Sequence, residues 1–196
     1  EDKPVQLLED RIRRDGIVAP GDVLRMDSFI NHQMDMELMS ALADEFYRLF
    51  ADAGVQRVLT VEASGIGIAC LVAYRFKVPM VFAKKSKTSN IPDTVYTATV
   101  KSYTHGNVNQ IMVSKEYLPA GERVLLIDDF LARGEALEGL RSLVEQAGST
   151  VVGAGILIEK AFQDGGARLR REGMRVESLA RVASMSVENG VQFAHD

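Results

Sequence analysis

The 196-residue chain is 46% hydrophobic and 26% charged with a formal net charge of −4, which excludes a disordered chain and offers no positive field for nucleic acid. That length suits one domain over residues 1–196 with a full core and is short for two. The lone Cys70 excludes an intramolecular disulfide, and with neither a secretory leader pattern nor a membrane-length apolar run, a cytoplasmic location is expected.

In chain order, residues 4–15 read as a helix with Leu8 and Ile12 on one face and Gly16 as its stop. Val23, Leu24 and Met26 break the helical period and suggest a short strand. Ser28 to Gln33 then read as a loop, polar around Phe29 and Ile30. Asp35 suits the N-cap of a helix that carries Leu38, Leu42, Phe46 and Leu49 and ends by Gly54. Arg57 to Val61 reads as a parallel strand, Glu62-Ala63-Ser64-Gly65-Ile66 as the turn at its carboxyl end, and Ile68 to Phe76 as the next helix, where Cys70 is expected as a small buried hydrophobe.

Pro79 to Ala83 forms the next expected strand, ended by Lys84-Lys85-Ser86-Lys87. Alternating runs at Val95 to Tyr103 and Val108 to Val113 flank His105-Gly106-Asn107, an antiparallel hairpin pattern with little core of its own. The stretch VLLIDDFLARGEAL, residues 124–137, follows. Val124 to Ile127 lack polar alternation, as in a strand buried on both faces; Asp128 and Asp129 end it; Gly134 sits in a tight turn before a helical stripe of Leu137, Leu140, Leu143 and Val144. Such a turn presents free backbone N–H groups and a helix N-terminus at the sheet edge, where a terminal phosphate can bind beside carboxylates that accept hydrogen bonds from ribose hydroxyls. Val151 to Ile158 is a further apolar strand ended by Glu159 and Lys160, a pair that could form a surface salt bridge. Gln163 to Gly173 reads as a short basic helix, and Arg175 to Val182 and Val191 to Ala194 as terminal strands. His32, His105 and His195 are not spaced as metal ligands.

The apolar run, Asp-Asp, Ala-x-Gly and helix resemble the phosphoribosyl-pyrophosphate motif of type I phosphoribosyltransferases. With Val23 to Gln33, Thr60 to Ile66 and Ile158 to Lys160, nearly the whole chain is similar to the bacterial xanthine enzymes of that family. The resemblance implies an α/β fold, a central parallel sheet flanked by helices, with a small hood from residues 16–33 and the C-terminal segment and a flexible hairpin flap over 86–114. It implies transfer of a 5-phosphoribosyl group from phosphoribosyl pyrophosphate to a purine with magnesium held mainly through that substrate, in a homodimer without nucleic-acid or membrane partners. Carried over by position, Asp128 and Asp129 hold the ribose hydroxyls, and Ala132, Arg133, Gly134, Glu135 and Ala136 receive the 5-phosphate. Glu62, Ser64 and Gly65 with Lys84 or Lys85, of which Lys84 is preferred, take pyrophosphate, and Leu24, Asn31 and Lys160 contact the purine.

Arg133, Glu135 and Ala136 depart from the family's pattern of a small or neutral residue before the glycine and a hydroxyl residue after it. Glu135 is therefore expected to point away from a bound phosphate or to pair with Arg133. Alternative readings are hypoxanthine, guanine or adenine as the base, and a purine-responsive regulator of the same fold. About twenty residues ahead of Val23 are too few for a winged helix, so an enzyme is expected.

Overall fold

In the computed structural model, described over residues 3–86, 90–102 and 107–195, the apolar runs form one extended sheet. Helix α1 (Pro4–Asp15) leads into an antiparallel ribbon, β1 (Ile17–Ala19) and β2 (Val23–Arg25), then a wide helical turn over Asp27–Asn31 and helix α2 (Met36–Phe50). There follow β3 (Arg57–Val61), α3 (Ile66–Phe76), β4 (Met80–Ser86), the hairpin β5 (Val95–Ser102) and β6 (Asn107–Ser114), β7 (Arg123–Leu131), α4 (Glu135–Gln146), β8 (Thr150–Lys160), α5 (Gly165–Arg171), β9 (Val176–Ser186) and β10 (Gly190–Phe193). The local signals act as the residue types predict. Asp35 Oδ1 caps α2 by accepting from the Leu38 N–H at 3.2 Å, and the stripes of α1, α2 and α4 are buried except for Leu49, which is half-buried while Met39, Ala43 and Phe50 join the inner face.

The sheet has the order β10-β9-β8-β7-β3-β4-β6-β5, parallel among β9, β8, β7, β3 and β4 and antiparallel at both edges. The chain leaves β3 through α3 toward β4, on one side, and leaves β7 through α4 toward β8, on the other. Crossovers of one hand running in opposite directions put their helices on opposite faces. Accordingly α2 and α3 pack in one apolar cluster with Phe46, Ile68 and Leu125, and α4 in a second with Leu126, Leu140 and Ile156.

The order of the strands also fixes where a ligand can sit. β3 and β7 pair only through Leu59↔Leu126, whereas β3 stays with β4 through Val61↔Ala83 and β7 stays with β8 through Leu131↔Glu159. A crevice therefore opens between the carboxyl ends of β3 and β7, at the switch point of the sheet, where α/β proteins bind ligands.

Several expectations are corrected by long-range pairing. β4 does not stop at Ala83, because β6 pairs with it at Lys84↔Met112 and Lys85↔Ile111. Asp128 lies inside β7 opposite Ile156, since β8 continues alongside. The polar segment after Met26 is helical rather than a loop: Phe29 and Ile30 are buried and the Ile30 and Asn31 N–H groups both donate to the Met26 carbonyl. The hairpin borrows its core from α4, since Ala98, Ile111 and Val113 are buried in the cluster of that helix, where Gly139 leaves room for Val100 and Ile111. Cys70 is exposed, because Ile68, Ala69, Val72 and Ala73 take the inner face of α3. The hairpin tip with His105 and Gly106, and Lys87, lie outside the described residues. Among the described residues no helix is long and apolar enough to cross a membrane.

Candidate active site

Two strand ends build the crevice. From β7 come Asp128 and Asp129, each only 6% exposed. Burial raises the Asp128 carboxyl well above the usual carboxylate range, and the neighbouring charge of Asp129 raises it further, with Lys85 partly offsetting both. Asp128 Oδ1 accepts from the Asp129 N–H at 2.9 Å, which fixes its orientation. From β3 comes the Glu62–Gly65 turn, which contains a cis peptide between Glu62 and Ala63.

The two ends are in contact. A Cβ built on Gly65 would overlap Thr60 Oγ1 and come within 2.9 Å of Asp128 Oδ1, so only glycine lets this turn lie against the acidic pair. Thr60, fully buried, was missed by sequence reasoning, although a threonine inside the apolar run Arg57–Val61 is the signal that could have found it. Ser64 is exposed at the rim of the turn.

The two lysines of β4 separate. Glu62 Oε1 accepts from the Lys85 N–H at 2.6 Å, and the Lys85 charge acts on Asp128. Lys84 instead lines a separate cavity of about 520 Å³ with Arg57, Pro79, Phe82 and Tyr117. Successive residues of a strand face opposite sides, and of this pair it is the Lys85 charge that is felt at Asp128. Lys85 is thus the lysine nearer the acidic pair in its electrostatic effect, and Lys84 the one at the separate cavity.

Beyond Leu131 the chain turns through Ala132, Arg133 and Gly134 into α4, with Gly134 at φ +89°, the left-handed region. Arg133 and Glu135 both line a cavity of about 700 Å³ with Thr97, Lys101 and Asp164. Ala136 is half-buried in the first turn of α4, packed against the second apolar cluster. Helix α5 closes on the outer side of this loop. A Cβ at Gly165 would collide with the Ala132 carbonyl and Arg133, and Arg168 Nη2 donates to the Arg133 carbonyl at 2.8 Å.

The third part is the end of β8. Glu159 is buried at 2% exposure and does not pair with Lys160; Arg170 of α5 donates to both its oxygens at 2.8 Å, with Arg181 3.6 Å away. Burial alone would raise the Glu159 carboxyl, but the hydrogen bonds and charge of Arg170 hold it below the usual range. Lys160 reaches the turn between β1 and β2 instead. Its Nζ donates to the Asp22 carbonyl at 2.8 Å and lies 5.6 Å from the centre of the Phe130 ring, and burial lowers the ammonium from its ordinary value.

Asp22, at φ +59°, turns β1 into β2, so Lys160 meets the segment that carries the buried Leu24. Asn31 is exposed at the end of the wide turn; after it, Met34 packs over Gly67 at the start of α3. Segments from the first 34 residues thus meet the strand ends at two points, Asp22 at Lys160 and Met34 at Gly67, while the Gly65 turn lies against Asp128. Chemically, carboxylates can accept from hydroxyls, free backbone amides can hold an anion, and an ammonium can donate to oxygens of a flat acceptor.

Comparisons with known proteins bear on the fold and the family. The phosphoribosyl transferase domain model matches residues 30–196. A xanthine phosphoribosyltransferase of Lachnoclostridium phytofermentans is 53% identical over 95% of this chain and 96% of the relative. Another, from Lactobacillus delbrueckii subsp. bulgaricus, is 55% identical over 91% and 94%. Among solved structures, an adenine phosphoribosyltransferase of Giardia lamblia complexed with 9-deazaadenine superposes with a TM-score of 0.76 at 21% identity, covering 90% of this chain and 98% of that one. The enzyme of the same name from Rhodothermus marinus gives 0.75 at 22% identity over 91% and 98%. The structural likenesses carry the fold and the sequence likenesses carry the relationship: the chain belongs to the phosphoribosyltransferase family, in the branch that includes the xanthine phosphoribosyltransferases.

Proposed function

We propose that this protein transfers the 5-phosphoribosyl group of phosphoribosyl pyrophosphate to N9 of xanthine, giving xanthosine 5'-monophosphate and pyrophosphate. The single observation that carries the reading is the crevice at the sheet's switch point, where a buried acidic pair lies against one glycine turn and a second glycine turn opens α4, in a chain 53% identical to a xanthine phosphoribosyltransferase. In the reaction the ribose C1–oxygen bond to pyrophosphate breaks, the N9–C1 bond forms, and the N9 proton passes to solvent. Positive charge builds on the ribose between these events. Asp128 and Asp129 accept hydrogen bonds from its 2- and 3-hydroxyls, and their negative charge counts for more against the cationic sugar than against the ground state.

The amides at Gly134 to Ala136 hold the 5-phosphate, and the Glu62–Gly65 turn with Lys85 receives the departing pyrophosphate. Lys160 has three N–H donors, one of which is used on Asp22. The others suit the purine oxygens, while Leu24 covers the ring and Asn31 sorts the C2 side. Glu135 shares its cavity with Arg133, and we assign both to the outer side of the loop rather than to the phosphate.

Among the described residues no three acidic, histidine or cysteine groups converge as metal ligands, so the crevice offers a cation the acidic pair alone. That donor set fits magnesium held mainly through substrate oxygens, where it would neutralise the leaving pyrophosphate. A homodimer in the cytoplasm completes the proposal, with light scattering as the check on assembly. Turnover of xanthine, guanine, hypoxanthine and adenine with phosphoribosyl pyrophosphate, each followed spectrophotometrically, tests the function. A higher kcat/KM for any base other than xanthine overturns the assignment.

A further inference from the structure

We infer that Arg168 on α5 is a positioning residue for the phosphate loop Ala132–Ala136: it holds the Arg133 carbonyl so that the next amide faces a bound phosphate. This rests on the functional reading above. Arg168 Nη2 donates to the Arg133 carbonyl at 2.8 Å, while Nη1 donates to Glu138 on α4 and, at 3.3 Å, to Glu172. One guanidinium therefore joins the loop, the helix that the loop opens, and α5. The peptide between Arg133 and Gly134 is trans, so its carbonyl and its N–H point in opposite directions. Drawing the Arg133 carbonyl outward to α5 turns the Gly134 N–H to the side away from α5. That amide would otherwise be free to rotate with the turn.

Arg168 can do this only if α5 is itself fixed. Gly165 lets α5 approach until a Cβ would strike the Ala132 carbonyl and Arg133, and Gly166 does the same against Glu159. Arg170, two residues on, then ties α5 to the end of β8 through the buried Glu159. The space on the loop side is equally tight, since a Cβ at Gly134 would lie 3.1 Å from Leu169 Cδ1 and 3.3 Å from Arg168 Nη2. The short basic helix expected from the sequence thus braces the phosphate loop from behind. A charge-assisted bond to a carbonyl, lost from an oriented loop, corresponds to roughly tenfold or more in affinity.

The test measures binding of ribose 5-phosphate by calorimetry and steady-state kinetics for wild type, Arg168→Met and Arg168→Lys. In Arg168→Met the Kd for ribose 5-phosphate and the KM for phosphoribosyl pyrophosphate should rise about tenfold while the KM for xanthine stays within about twofold. Arg168→Lys should recover part of the loss, since an ammonium still donates to one carbonyl. Unchanged ribose 5-phosphate binding in Arg168→Met overturns the inference, as does an equal rise in both KM values. If Arg168→Met does not fold, Arg168→Lys decides alone by showing, or not showing, the same selective rise at a smaller scale. A wild type that binds ribose 5-phosphate but transfers no phosphoribosyl group from phosphoribosyl pyrophosphate to any base overturns the functional reading and leaves this comparison to judge the loop by Kd.

Discussion

Asp128→Asn should stabilise the protein while it disables the site. The carboxyl is 6% exposed, next to a second carboxylate, and raised well above 3.8 first by burial and then by the Asp129 charge. Between that unfolded-like value and the folded one, the native state binds more protons than the unfolded state, so stability falls as pH rises through the window. Above it the full penalty stands. Repulsion between neighbouring carboxylates at an effective dielectric near 20, reduced by solvent and relaxation, is about 1–2 kcal/mol. The amide keeps an oxygen for the Asp129 N–H, the bond now made at 2.9 Å, and adds a donor for the Asp129 carboxylate. The variant should therefore melt about 3–6 °C higher at pH 8, with a smaller gain at pH 5. Turnover should fall about ten- to a hundredfold through the lost charge-assisted bond to a ribose hydroxyl. Thermal melts at both pH values with one activity assay are enough, and a variant no more stable than wild type at pH 8 would refute the reasoning.

Three further outcomes follow from particular contacts. Lys160→Met should keep the fold and phosphoribosyl-pyrophosphate affinity but lower kcat/KM for xanthine at least about tenfold, with a smaller effect on adenine, whose C6 carries a donor; equal losses on both bases would remove Lys160 from base recognition. Lys85→Met should weaken pyrophosphate binding in calorimetry about tenfold whereas Lys84→Met should change it less than twofold, because only Lys85 acts on Asp128; the reverse order would show that the strand faces are misassigned. Gly65→Ala should raise the KM for phosphoribosyl pyrophosphate and cost about 1–3 kcal/mol in denaturant melts, since its Cβ would meet Thr60 and Asp128; wild-type kinetics would show that the turn does not need this close approach.

Much of this protein was legible locally. The apolar run Val124–Ile127, the Asp pair, Gly134 and the stripe of α4 form a strand, turn and helix by their own propensities, so this glycine turn could be placed from the sequence, and the likeness to phosphoribosyltransferases came with it. Asp35 as a cap and Gly16 as a stop are equally local, each satisfying helix ends within a few residues.

Tertiary structure decided the rest, because pairing partners far along the chain set which way side chains face. β6 extends β4 past Ala83 and so assigns Lys84 and Lys85 to different sides, a choice that two adjacent lysines cannot reveal. The separation of β3 from β7 beyond Leu59↔Leu126 makes the crevice, and no residue of either strand encodes it alone. Glu159 and Lys160 look like a surface pair but part company, since Arg170 is 11 residues away along the chain and Asp22 is 138. A buried carboxylate needs the partner with the best geometry, not the nearest in sequence, and only the folded chain brings that partner within reach.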